Sequence, residues 1–209
     1  MSELVNPLAE IIRRAAESKT EGGPASKLKK RYSEASEEVL IVADCSSSMD
    51  DHIGNSGLKK SQHLAIALRD VLSAHPNIRL IAFDTTAEEI ANIPAWLDAL
   101  ALQAAGKPTS YPVIISGGTN LDQGLKLAAT LKPRKTIVIS DGQPTCSEQA
   151  ALDEADKMTG RIDTIYCGAD THPAVDFLRK LARLSGGVQV TWDGYKTEIS
   201  GAIRGLLTA

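Results

Sequence analysis

Aromatic residues make up only 4% of this 209-residue chain, so any core must be aliphatic and alanine-rich. At 43% hydrophobic residues there is enough apolar material to enclose one, and the length suits one domain with short additions. Cysteine is nearly absent. Cys45, Cys146 and Cys167 are too few and too irregularly spaced for a disulfide framework or a zinc site. No apolar run approaches the roughly 18–20 residues of a membrane span. The opening MSELVNPLAE lacks a basic stretch followed by an apolar one, so a cytoplasmic protein with no membrane partner is expected. A basic excess is missing too: the net charge is −3, and the short cluster Lys27–Arg31 reads as a solvated linker or helix face. Nucleic acid is therefore not an expected partner.

What is present is an alternation of elements. Residues 6–18 read as a helix, with Asn6 as cap, Pro7 at its first position and Leu8, Ile11, Ile12 and Ala15 on one face. Two glycines and a proline in residues 19–27 mark a hinge. Residues 1–36 are thus an N-terminal amphipathic helix with a flexible linker, and 37–209 form the single domain. Apolar runs at 39–43 and 136–140, with further strands at 78–83, 162–167 and 188–192, predict a sheet buried on both faces, and 88–93 a short edge strand. Helical spacing of apolar residues falls at 58–74, 94–105, 121–131, 147–158, 173–185 and 198–207. The pattern predicts a three-layer α/β/α sandwich around a mostly parallel sheet, with one short antiparallel edge strand. Ligands of such sheets bind at the carboxyl ends of the strands, where the strand order reverses.

Three segments crowd that edge with oxygen. The first strand runs into Asp44-Cys45-Ser46-Ser47-Ser48, a glycine turn carries Ser116-Gly117-Gly118-Thr119-Asn120, and the fourth strand ends in Asp141-Gly142-Gln143-Pro144-Thr145. Carboxylates and hydroxyls without thiolate or imidazole suit a hard divalent cation such as Mg²⁺, with Mn²⁺ or Ca²⁺ as alternatives. Alternate residues at a strand end point the same way, so Ser46 and Ser48 face one point, while Cys45 and Ser47 face away.

Asp44-x-Ser46-x-Ser48, Gly118-Thr119 with Gly124-Leu125 beyond, and Asp141-Gly142 resemble the von Willebrand factor type A family at its metal-ion-dependent adhesion site. The resemblance covers about residues 37–207 and implies that Asp44, Ser46, Ser48, Thr119 and Asp141 are the metal set. It implies direct ligation by both serines and direct or water-mediated contact by the threonine and aspartates. A partner's acidic side chain fills the remaining position. Ser47 is a departure, because the family often has glycine there; serine fits if its φ is negative. The resemblance further implies an intracellular bacterial adaptor that is not an enzyme. Its partner would be an AAA+ ATPase of the MoxR kind, or the setting a tellurite-resistance-like stress response. Around the metal, Asp50, Gly118, Asn120, Gln143 and Tyr111 are candidate partner contacts, and the loop at 103–116 a candidate for partner selection.

Each segment alone reads as a turn, since Ser, Asp and Gly satisfy or permit turn backbones. Their co-occurrence at three carboxyl ends favours the site. A serine or cysteine hydrolase needs a base beside its nucleophile, and no Gly-x-Ser-x-Gly elbow is present. Of the four histidines, His63 and His75 are expected away from the carboxyl edge, whereas His52 and His172 are not excluded by position. No phosphate-binding glycine loop occurs. The alternative reading, from a different class, is a metal-dependent phosphoester hydrolase.

Overall fold

The computed structural model describes residues 31–32, 38–111, 117–145, 147–195 and 198–209. The expected helix at 6–18, its linker, Cys146 and the stretch 112–116 of the candidate selection loop lie outside the described residues.

The elements run β1 (Val39–Asp44), a 3-10 turn (Ser47–Asp50), α1 (Lys60–Ala74), β2 (Arg79–Phe83), β3 (Ala87–Glu89), α2 (Ile93–Ala104) and α3 (Leu121–Leu131). They continue with β4 (Lys135–Ser140), α4 (Glu148–Lys157), β5 (Arg161–Cys167), α5 (Pro173–Arg183), β6 (Gln189–Trp192) and α6 (Ile199–Thr208). The sheet order is β3-β2-β1-β4-β5-β6, with only β3 antiparallel to its neighbour. The expected α/β architecture with one antiparallel edge strand is the observed one.

Period-two alternation in the strands builds two cores. Ile41 and Ala43 of β1 meet Leu64 and Leu68 of α1, Trp96 and Leu100 of α2, and Ile199 and Ile203 of α6. Leu40 and Val42 turn the other way, onto Leu121 and Leu125 of α3, Ala151 and Leu152 of α4, and Phe177 and Leu178 of α5. Trp96 and Trp192 are both packed in the interior. Among the described residues no helix is long and apolar enough to cross a membrane.

Two local differences from expectation have physical causes. The edge strand ends at Glu89 rather than Ile93, because Ile90 turns into the core and Asn92 Oδ1 accepts from Ala95 N at 3.2 Å, capping α2. Residues 47–50 wind into a 3-10 turn because Met49 is fully buried and pulls the chain inward, while Met49 N bonds Ser46 O at 3.0 Å. Ahead of the strands, Arg31 is buried and its Nη2 donates to Ala155 O at 2.6 Å, so the body of the domain engages the chain before residue 37.

β1 lies at the centre of the sheet, and the chain leaves it toward β2 on one side and reaches β4 on the other. The carboxyl ends of β1 and β4 therefore form the switch point. Ala43 pairs with Ile139, which sets Asp44 beside Ser140 at that edge.

Candidate metal site

Asp44 closes β1 and is 1% exposed. Its Oδ1 accepts from the backbone N–H of Ser46 at 2.8 Å, and its Oδ2 from Ser140 Oγ at 2.5 Å. Ser46 Oγ and Ser48 Oγ are 3.2 Å apart, and Ser48 Oγ donates to Asp141 Oδ1 at 2.7 Å. One hydrogen-bonded run thus joins the ends of β1 and β4 through four of the five expected ligands.

Thr119, the fifth, is buried in the loop before α3. A Cβ on Gly142 would stand 3.3 Å from Thr119 Oγ1 and 4.0 Å from Ser48 Oγ, so both hydroxyls flank this glycine. Thr145 holds this loop through two bonds. Thr145 N donates to Thr119 O at 3.0 Å, and Thr145 Oγ1 to Asn120 Oδ1 at 2.8 Å. Gly118 permits the approach, because a Cβ on it would lie 2.6 Å from Thr145 Oγ1. Ser47 does not strain the turn. Lys132 is the only non-glycine residue with positive φ among the described residues, so Ser47 has the negative φ that serine requires. Its Oγ donates outward to Gly117 O at 3.2 Å, tying the serine turn to the glycine loop.

The electrostatics are those of a site short of positive charge. Burial, and next the charge of Asp141, push the Asp44 carboxyl up to about 6, against the lowering effect of the Ser140 and Ser46 hydrogen bonds. The ammonium in contact with Asp141 belongs to Lys60 at the start of α1. Its Nζ lies 2.6 Å from Asp141 Oδ2, 3.1 Å from Ser48 O and 3.9 Å from the exposed Asp51. Two buried carboxylates against one ammonium leave a negative excess.

No group of three or more His, Cys, Asp or Glu side chains disposed to hold a metal occurs among the described residues. The site brings only two acids, and hydroxyls complete its donor set. Such a set fits Mg²⁺ or Mn²⁺ and not zinc. Cys45 is buried in the core, and burial pushes its thiol well above the ordinary range, so it is unreactive.

Sequence reasoning missed Lys60 and Ser140. Two lysines opening a helix was the available signal for the first; a polar residue closing an apolar strand was a weak one for the second. The surrounding candidates are dispersed. Asp50 is paired with Lys59 at 2.6 Å, and Gln143 is exposed. Asn120 ties the Thr119 loop to Thr85 O at 3.2 Å, and Tyr111 packs half-buried against the α1 side of the core. His63 corrects its expected position. It occupies the first turn of α1, which lies at the carboxyl edge because α1 follows β1, and its ring meets that of Trp192 at the end of β6, 5.1 Å away. Its Nε2 is bonded to Ser56 Oγ at 2.7 Å. His172 caps α5 and stacks on Tyr166. Among the described residues no imidazole is hydrogen-bonded to Ser46 or Ser48.

A mostly parallel sheet wound both ways from β1, with helices on both faces, defines an open-sheet α/β domain. Residues 37–190 match the von Willebrand factor type A domain, and the chain belongs to that family. Domains of this family are in general protein-interaction modules. No curated protein matches the sequence. Solved structures share the fold at low identity. BatB from Bacteroides thetaiotaomicron has a TM-score of 0.58 and 16% identity over 83% of this chain and 98% of its own. An aerotolerance-related membrane protein from Bacteroides fragilis has a TM-score of 0.57 and 13% identity over the same shares. A von Willebrand factor type A protein from Catenulispora acidiphila has a TM-score of 0.56 and 18% identity, over 83% of this chain and 42% of that one.

Proposed function

We propose that this domain is a metal-dependent protein-interaction module, holding a divalent cation, Mg²⁺ first, on Asp44, Ser46, Ser48, Thr119 and Asp141. The observation that carries the reading is the Asp44–Ser46–Ser48–Asp141 run across the switch point, with Thr119 beside it and both carboxylates buried. Burial of two neighbouring carboxylates opposes folding unless something positive is gained there. The bound cation would supply an electrophilic oxygen-binding position that an Asp or Glu of a protein partner can occupy. The chain's own part is to hold the oxygens in place: Ser140 and Ser46 N–H fix Asp44, Ser48 fixes Asp141, and Thr145 fixes the Thr119 loop.

The biological setting belongs to the same proposal: a cytoplasmic bacterial adaptor for a larger assembly, with an AAA+ ATPase as the partner class. The hydrolase reading has less behind it, because among the described residues no imidazole is hydrogen-bonded to Ser46 or Ser48 to serve as a general base.

Thr119→Ala removes one hydroxyl and no charge. It is expected to abolish Mg²⁺-dependent capture of an acidic partner while leaving the urea unfolding midpoint nearly unchanged. The check is a pull-down from the native cell in Mg²⁺ and in EDTA. Capture that survives both EDTA and the substitution would exclude the adhesion mechanism. Phosphoester turnover by the purified protein, lost on Asp44→Ala, would establish the alternative.

A further inference from the structure

We infer that Lys60 is a tethered counter-ion that competes with the divalent cation for Asp141 and is displaced toward Asp51 when the cation binds; this rests on the metal-site reading above. The first turn of α1 contains no acid, Lys59 caps the helix, and Lys60 is its first residue. The helix macrodipole disfavours cations at this end and favours carboxylates, so two lysines here run against the local rule. Lys59 is accounted for by its pair with Asp50. Lys60 is accounted for only by the site. Its side chain is 13% exposed and reaches the Asp141 side chain, which is 1% exposed.

The contact is specific in its geometry. Asp141 Oδ1 receives the Ser48 hydroxyl and Asp141 Oδ2 the Lys60 ammonium, so both oxygens of this carboxylate are engaged. A charge-assisted bond of this kind is among the stronger hydrogen bonds in a protein. An ammonium and a divalent cation on one carboxylate repel each other, the more so in a buried site of low effective dielectric. Cation binding therefore requires Lys60 to move. A landing place exists: Asp51 Oδ2 lies 3.9 Å from Nζ, and its side chain is 73% exposed, at the rim. Outward movement of Lys60 would relieve the repulsion and also place a positive charge at the rim, where an acidic partner arrives. In the absence of cation the same ammonium offsets half the charge of the two buried carboxylates. Lys60 thus sets the cation affinity and couples it to the charge of the docking face.

The test is calorimetric titration of Mn²⁺ and Mg²⁺ into the wild-type chain, Lys60→Met, Lys60→Gln and Asp141→Ala, with melting temperatures in EDTA and in saturating Mg²⁺. Lys60→Met is expected to bind both ions roughly tenfold more tightly or better, by loss of a competing charge-assisted bond. It should melt lower than wild type in EDTA and gain more from Mg²⁺, since a ligand that binds only the folded state raises stability in proportion to its affinity. Lys60→Gln keeps a neutral donor toward Asp141 and should tighten binding as well, which covers the case in which the methionine variant does not fold. Unchanged or weaker affinity in both variants, with wild-type binding abolished by Asp141→Ala, overturns the role of Lys60 and leaves the metal site standing. Absence of binding in wild type and in both Lys60 variants overturns both.

Discussion

Asp44→Asn is expected to give a protein that is more stable than wild type in EDTA at neutral pH and unable to bind the cation. Asparagine keeps the shape and both hydrogen bonds, since its oxygen still accepts from Ser46 N–H and its amide donates to a rotated Ser140 hydroxyl. Only the charge is lost. The Asp44 carboxyl is pushed up to about 6 from an ordinary 3.8, by burial and then by Asp141. Below the ordinary value it is protonated in both folded and unfolded chains and contributes no penalty. As pH rises, the unfolded chain releases its proton first, and stability falls until the folded pKa is passed. Above it the ionised carboxylate disfavours the metal-free fold by about 3 kcal/mol. For a chain of this size that is a difference of about 6–12 °C in melting temperature. Urea unfolding in EDTA should show wild type losing stability between roughly pH 4 and 7 through this group, and Asp44→Asn showing no such loss. In saturating Mg²⁺ the gap should close or reverse, because only wild type gains from the ion. A variant no more stable than wild type in EDTA would mean that the buried charge is compensated.

Arg161→Ala is expected to cost about 3–5 kcal/mol, as breaking a buried ion pair does, without altering cation affinity in the folded fraction. Arg161 and Asp163 open β5, at the sheet edge opposite the metal site. Asp163 is completely buried, and its Oδ1 accepts from Arg161 Nε at 2.7 Å and from Val188 N at 2.8 Å. Lys135 Nζ stands 4.0 Å from Oδ2. Removal of Arg161 leaves this carboxylate with a distant ammonium and one backbone donor. Arg161→Met combined with Asp163→Leu should recover most of the loss, since an apolar pair replaces a buried ionic one without an orphaned charge. Urea denaturation of the single and double variants measures both effects; equal losses in the two would show that packing, not charge, is at stake. The two edges differ in balance. At the amino edge one buried carboxylate meets two cations, which is a structural arrangement. At the carboxyl edge Asp44, Asp84 and Asp141 are all buried and the Lys60 ammonium contacts Asp141, a negative excess that a bound cation would offset.

Most of the fold was legible because the central strands β1 and β4 are nearly unbroken apolar runs and the helices keep one apolar face. Leu121–Leu131 was bounded correctly from its spacing alone. The edge strand was not, because Ile90 and Ile93 look like strand residues until Asn92 is seen capping a helix between them. The five expected ligands could be named because three polar turns fall at three strand or loop ends, each ambiguous by itself. Lys60 was not legible, since a lysine at a helix surface ordinarily reads as solvated. Only its conflict with the macrodipole marked it, and its partner lies 81 residues away in sequence. His63 was misplaced because position within a helix says nothing about which end of the sheet that turn overlies. Whether Ser47 fits its turn depends on φ, which the fold alone decides.

On the proposed reading the switch point holds one divalent cation on Asp44, Ser46, Ser48, Thr119 and Asp141. The most direct test of that reading is Mn²⁺ titration followed by electron paramagnetic resonance, with wild type, Thr119→Ala and Asp141→Ala compared under one buffer. The expected result is a single Mn²⁺ per chain, displaced by Mg²⁺, weakened in Thr119→Ala and absent in Asp141→Ala. No Mn²⁺ bound by wild type, or the same binding in all three proteins, would contradict it.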